Sequence, residues 1–284
     1  MTIRRRQVTS SDGTTLAVTD FGGEGPGILL LHGMMGRANT WSGTVPWLTR
    51  HGRVVAYDAR GHGFSDAPAA PYDRSAHVAD AIAVIEALDL APAVLIGHSM
   101  GSVTSWQLAG RRPELAKALV LGDMAAVVAD TQENWKAWMA DWPVPFQTLA
   151  EVREYFGGDS FARFFSGHQP EHRPHGGGDY FTELFTERPD GHWPLATRET
   201  MLACRTHWNG RDHSHELDTV ECPALVVAGE HSYFPAEGQR AMTQRLTGGE
   251  FALVPDAGHI LHYDNPTAWR EAVEPYIAGI VKSP

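Results

Sequence analysis

Short apolar runs bounded by Gly, Pro or Asp recur along this chain with amphipathic stretches between them, and that alternation constrains the fold more than any other feature. The runs are Gly27 to Leu31, Arg53 to Tyr57, Ala93 to Ile96 and Ala118 to Leu121. Unbroken apolarity over so few residues describes strands buried on both faces. Between them, Ser75 to Leu90 carries Val78, Ile82, Ile85 and Leu88 at steps of four, three and three, one face of a helix. Strand alternating with helix predicts an α/β fold, a mostly parallel sheet with right-handed crossovers and helices covering both faces. The pattern returns at Pro223 to Ala228 and Phe251 to Val254, before a last helix from Pro266 to Val281.

Between Asp123 and His215 the strand signals stop and aromatic residues crowd in, among them Trp135, Trp138, Trp142, Phe156, Phe161, Phe164, Phe165, Phe181 and Trp193. The stretch reads as an insert, a helical subdomain over 124–215 on a core formed by 1–123 and 216–284. Most of its rings are expected to build a small core of their own, and some to line a ligand cavity. A chain of 284 residues accommodates one large domain with such an insert.

Charge narrows the partners. With 34 acidic against 23 basic side chains the net charge is −11, which repels phosphate backbones and anionic membranes, so neither nucleic acid nor a membrane surface is expected as partner. Cys204 and Cys222 are too few for a disulfide framework or a zinc cluster. No run of eighteen apolar residues occurs, and MTIRRRQVTSSDGTT has no apolar stretch behind its charges, so neither a membrane span nor a signal peptide is expected. The chain reads as soluble and cytoplasmic. Its oligomeric state is not written in the sequence.

The apolar run ending at Ile96 leads directly into GHSMG at 97–101, and an amphipathic stretch with Val103, Trp106 and Leu108 follows. A serine on a sharp strand-to-helix turn adopts strained backbone geometry, so small neighbours two residues away on each side are required. Ser99 is then exposed at the carboxyl edge of the sheet, with the Met100 amide and the helix N-terminus behind it to stabilise a developing oxyanion. Upstream, ILLLHGMMG at 28–36 ends a strand in a His-Gly turn that puts the Met34 amide where a second oxyanion donor is needed. Downstream, LVPDAGHILHYDNP at 253–266 sets His259 on a loop after the last predicted strand, where a base leans over Ser99.

Together HGMMG, DARGHGFSD at 58–66, GHSMG and AGHILHYDNP resemble, in order and spacing, the α/β-hydrolase superfamily, specifically its serine hydrolases and esterases with a helical cap inserted after the sixth strand. The resemblance implies a Ser-His-acid triad and an oxyanion hole, with no cofactor. It also implies that Asp58 and Arg60 are turn and packing residues and that His32 and His98 are structural. One departure bears on the acid. The usual Gly-x-x-Asp-x-x-x-Pro segment is here AGEHSYFP at 228–235, with Ser232 where that Asp belongs. A minority of the family carries the acid after the sixth strand, and ALVLGDMA at 118–125 ends that strand in Asp123. The acid is therefore assigned to Asp123, with Glu230 as the alternative.

The chemistry expected is acyl transfer to water from an ester, lactone or thioester of a bulky, largely apolar small molecule, with Met35, Trp138 and Trp142 as substrate-binding candidates. Carbon-carbon bond hydrolysis or a lyase step on the same triad, and a hydrolase-like ligand receptor, are the competing readings. The histidines His168, His172, His175, His213 and His215 raise a metal site, but without cysteine or a tight carboxylate arrangement none is expected.

Overall fold

A computed structural model describes residues 3–128, 132–158, 176–207 and 210–282. The core is an eight-stranded sheet. In chain order, β1 (Arg4–Thr9) and β2 (Thr15–Gly22) form an antiparallel edge pair, and β3 (Gly27–Leu31), β4 (Arg53–Tyr57), β5 (Ala93–His98) and β6 (Ala116–Gly122) follow. β7 (Phe185–Arg188) and β8 (Gly191–Pro194) make a separate hairpin, and β9 (Ala224–Gly229) and β10 (Gly249–Val254) complete the main sheet. Its order is β1-β2-β4-β3-β5-β6-β9-β10, and from β4 to β10 every neighbouring pair is parallel.

Strand periodicity explains why the central runs are apolar throughout. Successive side chains point to opposite faces, so Leu29 and Leu31 join one core with Leu95, Leu119 and Leu121, while Ile28 and Leu30 join another with Val94, Ile96 and Val120. Helices Arg74–Ala87 and Met100–Arg111 cover the first face through Val84, Ile85, Val103 and Trp106. Helix Pro266–Lys282 covers the second through Trp269, Val273 and Ile277. In Arg74–Ala87 the buried stripe runs through Val78, Ala81, Val84 and Ile85, and Ile82 packs only at its margin.

Two features differ from the sequence expectation. The edge strands β1 and β2 are not apolar runs, because β1 (RRRQVT) is almost wholly exposed and carries three arginines, the charge pattern that keeps a sheet edge from pairing with another chain. The segment between β6 and β9 is not wholly helical, since β7 and β8 pair through a turn at Pro189, Asp190 and Gly191 in which Gly191 takes φ +133°. Its described helices are Gln132–Ala140, Leu149–Gly157, Gly176–Thr182, Arg198–Arg205 and the single turn Ser214–Leu217. Among the described residues no helix is long and apolar enough to cross a membrane.

The DARGHGFSD segment is a scaffold. Arg60 is fully buried and meets Asp80 through two bonds, Nε to Oδ2 at 2.7 Å and Nη2 to Oδ1 at 2.6 Å. Asp58 accepts from the amides of Ala38 at 2.7 Å and Phe64 at 2.8 Å, tying the loop after β3 to the loop after β4. His32 joins the same loops, donating from Nδ1 to the Gly33 carbonyl at 2.7 Å and accepting at Nε2 from the Ala59 amide at 2.9 Å. Burial lowers its pKa to about 4, which keeps the ring neutral, as an accepting Nε2 requires.

Candidate active site

Four loops meet at the carboxyl ends of β5, β6, β9 and β10, the edge where parallel α/β sheets present ligand sites. Ser99 follows β5 directly. Its φ of +51° lies in the left-handed region, and its amide donates to the Gly122 carbonyl at the end of β6 at 2.8 Å, so the strained turn is held from both sides. A Cβ at Gly97 would collide with the Gly101 and Ser102 backbone, and one at Gly101 with the Leu31 carbonyl. Only glycine fits at either position, which is the physical content of the GHSMG spacing.

Asp123 follows β6, also at positive φ (+42°), and is fully buried. Its carboxylate takes four hydrogen bonds. Oδ1 accepts from the Gly229 amide at 3.0 Å and from Gln239 Nε2 at 2.9 Å. Oδ2 accepts from Ser232 Oγ at 2.5 Å and from His259 Nδ1 at 2.7 Å. A buried carboxylate is costly unless its lone pairs are satisfied, and here each oxygen has two donors. Because a carboxylate only accepts, Nδ1 of His259 carries the proton and Nε2 is left as the basic nitrogen.

Glu230, the other acid weighed from the sequence, is elsewhere. It is exposed, accepts from the Asp256 amide at 3.0 Å and lies 3.7 Å from His231. Glu230, His231 and Asp256 bring ligand-type atoms within 4.8 Å of one another at the surface. Sequence reasoning treated Ser232 as a vacated position and did not single out Gln239. Both hold Asp123, and only the convergence of the β6 and β9 ends reveals it.

His98 fixes the loop that carries His259. Its Nε2 donates to the His259 carbonyl at 2.7 Å, and burial lowers its pKa well below the usual value. Asp264 ties the same loop to the segment between β6 and β9, accepting from the amides of Gly258 and Gly176, each at 3.0 Å.

Ser99 and His259 line one cavity together with Met34, Met35, His98, Met124, Val128, Trp135, Tyr180, Phe181, Arg205, Tyr233, Phe234 and Ile260. Its free space is about 480 Å3 including the open mouth. Met34 and Met35 lie at its wall, and the Met100 amide opens the helix behind Ser99. Trp142 lines a smaller adjoining cavity with Met35 and Phe181, while Trp138 lines neither and packs edge-on to Trp135 and Trp142 at 5.4 and 5.0 Å. The tryptophan lining the main cavity is Trp135, three residues before Trp138 on the helix Gln132–Ala140, with Tyr180 and Phe181 beside it.

His168, His172 and His175, and the rings Phe161, Phe164 and Phe165, lie outside the described residues. His213 donates from Nδ1 to Glu216 at 3.0 Å, and Glu216 also takes Trp106 and Gln107, a packing cluster below the helix Met100–Arg111. Burial pushes the Cys204 thiol up to about 12, so it is no nucleophile at neutral pH.

A family model of the alpha/beta hydrolase fold matches residues 26–266. A non-heme chloroperoxidase of Streptomyces lividans is 37% identical over 234 residues, 78% of this chain and 80% of that protein. The 3-oxoadipate enol-lactonase 2 of Acinetobacter baylyi is 24% identical, covering 88% of this chain and 87% of its own. Among solved structures, E-2-(acetamidomethylene)succinate hydrolase superposes with a TM-score of 0.80 at 24% identity, over 97% of this chain and 99% of that one, a likeness of fold.

Proposed function

The chain belongs to the alpha/beta hydrolase family, and from that membership we propose that it is a serine hydrolase cleaving an ester, lactone or thioester of a small molecule through an acyl-serine intermediate. His259 Nε2 takes the Ser99 proton as Oγ bonds to the substrate carbonyl carbon. The carbonyl oxygen becomes an oxyanion facing the Met34 and Met100 amides and the N-terminal end of the helix Met100–Arg111. The tetrahedral species collapses, the bond to the leaving oxygen or sulfur breaks, and His259 returns its proton to that group. Water then gives a proton to His259 as its oxygen bonds to the acyl carbon; the bond from that carbon to Oγ breaks and His259 passes the proton to Oγ, releasing a carboxylic acid and regenerating Ser99. These steps call on no cofactor.

The observation that carries this reading is the buried contact of His259 Nδ1 with Asp123 Oδ2 at 2.7 Å, beside a serine held at positive φ. A carboxylate there orients the imidazole and compensates the imidazolium formed in each step. Residues 124–215 act as a cap on the core formed by 1–123 and 216–284, and the Trp135, Tyr180 and Phe181 rings, with Met35, favour substrates with a largely apolar part.

Turnover of two variants tests the assignment. Asp123→Asn keeps the shape but favours the wrong tautomer, with an expected loss on the order of ten-thousandfold in kcat, as for a serine-protease acid. Glu230→Gln is expected to stay within about threefold of wild type, since surface polar changes away from the site have small effects. A crippled Glu230→Gln beside an active, folded Asp123→Asn would move the acid to the loop after β9.

A further inference from the structure

The cavity over Ser99 has a fixed positive charge in its wall. Among its described lining residues Arg205 alone is permanently charged, and the rest are mostly Met, Val, Ile and aromatic side chains. Arg205 is only 3% exposed and ends the helix Arg198–Arg205, where a cation meets the negative end of the backbone dipole. Its guanidinium lies 4.1 Å from the centre of the Trp135 ring, which also lines the cavity.

A cation at a nearly dry wall carries a desolvation cost that a methionine there would avoid. The guanidinium is also a rigid planar fork of five N–H donors that keeps its charge at every working pH, so it takes a carboxylate in addition to the contacts that hold it. Ser99 and His259 reach the cavity from the ends of β5 and β10, whereas Arg205 reaches it from the segment between β6 and β9. A molecule bridging them has its reacting carbonyl at one wall and its charge at another.

The geometry points to Arg205 as the anchor for a carboxylate on the substrate, so the natural substrate class is an anionic ester, lactone or thioester whose apolar middle lies against Trp135 and Phe181. The inference rests on the serine-hydrolase reading for its chemistry, but the charge recognition is separable from it. The anchor holds substrate and transition state alike, so its loss shows mainly in KM.

Paired substrates test it: mono-p-nitrophenyl adipate and p-nitrophenyl hexanoate, which differ in a terminal carboxylate against a methyl group. Wild type is expected to favour the adipate in kcat/KM, and Arg205→Met to reduce the adipate-to-hexanoate ratio by about tenfold to hundredfold, the worth of a hydrogen-bonded charge. Arg205→Lys, which keeps the charge but not the fork, should recover part of it. No wild-type preference, or an equal loss on both esters in Arg205→Met, overturns the inference. Should Arg205→Met fail to fold, calorimetry on Ser99→Ala protein decides with Arg205 intact: monomethyl adipate is expected to bind at least about tenfold tighter than methyl hexanoate, and equal binding refutes the anchor. If wild type turns over neither ester, the hydrolase reading fails, and the same binding comparison still tests Arg205.

Discussion

Ser232 Oγ donates to Asp123 Oδ2 at 2.5 Å, on the same oxygen that His259 Nδ1 reaches at 2.7 Å. The loop after β9 supplies no acid of its own for His259, yet it presents a hydroxyl to the acid that β6 supplies. Removing that donor leaves His259 as the one remaining partner of Oδ2 among those described and loosens the carboxylate's orientation. Ser232→Ala is therefore expected to lower kcat/KM by about tenfold, in line with the loss of a hydrogen bond to a charged group, and Ser232→Thr to keep most of it. Steady-state kinetics on one ester check this, and an unchanged Ser232→Ala would show that the other donors to Asp123 suffice.

The Arg60–Asp80 pair stabilises and does not react. Both side chains are buried, and without Asp80 the guanidinium keeps only the part-exposed Asp12, at 2.8 Å, as a counter-charge, a loss of up to about 3–5 kcal/mol. Asp80→Ala should shift the urea midpoint strongly downward while the folded fraction keeps wild-type turnover. Normal stability in that variant contradicts the scaffold role of the DARGHGFSD segment.

Asp264 gives stability a pH dependence. Burial pushes its carboxyl up to about 7, with the Gly258 and Gly176 amides pulling the other way. An unfolded aspartate titrates near pH ~3.9, so between about 4 and 7 the folded chain holds a proton that the unfolded chain has lost. The contribution of Asp264 to stability is present in full below about pH 4 and is lost as pH rises through 7. Urea unfolding of wild type and Asp264→Asn across that window should show wild type losing stability relative to the variant as pH rises, and a constant difference would contradict the raised pKa.

The tryptophans of the helix Gln132–Ala140 divide by role. Trp138 lies within the ring cluster, so Trp138→Ala should cost about 3–5 kcal/mol of stability through the cavity it leaves. Trp135→Ala opens the wall beside Ser99 and is expected to change the ranking of long against short esters. Melting curves and a chain-length series separate the two effects. An unaltered ranking in Trp135→Ala would make that ring core alone.

Much of this architecture is legible in the sequence, for reasons particular residues make plain. β3, β5, β6 and β9 are buried on both faces, so their side chains form unbroken apolar runs, whereas β1 is an edge strand of arginines and gives no such signal. The β7–β8 hairpin offered only a Pro-Asp-Gly turn between two four-residue strands. Ser99, Asp123 and His259 are each marked by a strand end and a local motif. Gln239 and Arg205 carry no local mark, because one becomes a carboxylate donor and the other a cavity wall only when distant segments meet.

The central claim is that Ser99 becomes covalently bound during turnover. Peptide mass spectrometry after treatment with a fluorophosphonate measures it directly, since the probe transfers its phosphonyl group to an activated serine hydroxyl with loss of fluoride. An adduct on the peptide containing Ser99 is expected to rise in step with loss of esterase activity, with neither adduct nor activity in Ser99→Ala. Wild-type turnover by Ser99→Ala, or complete inactivation with the adduct on another residue, would contradict it.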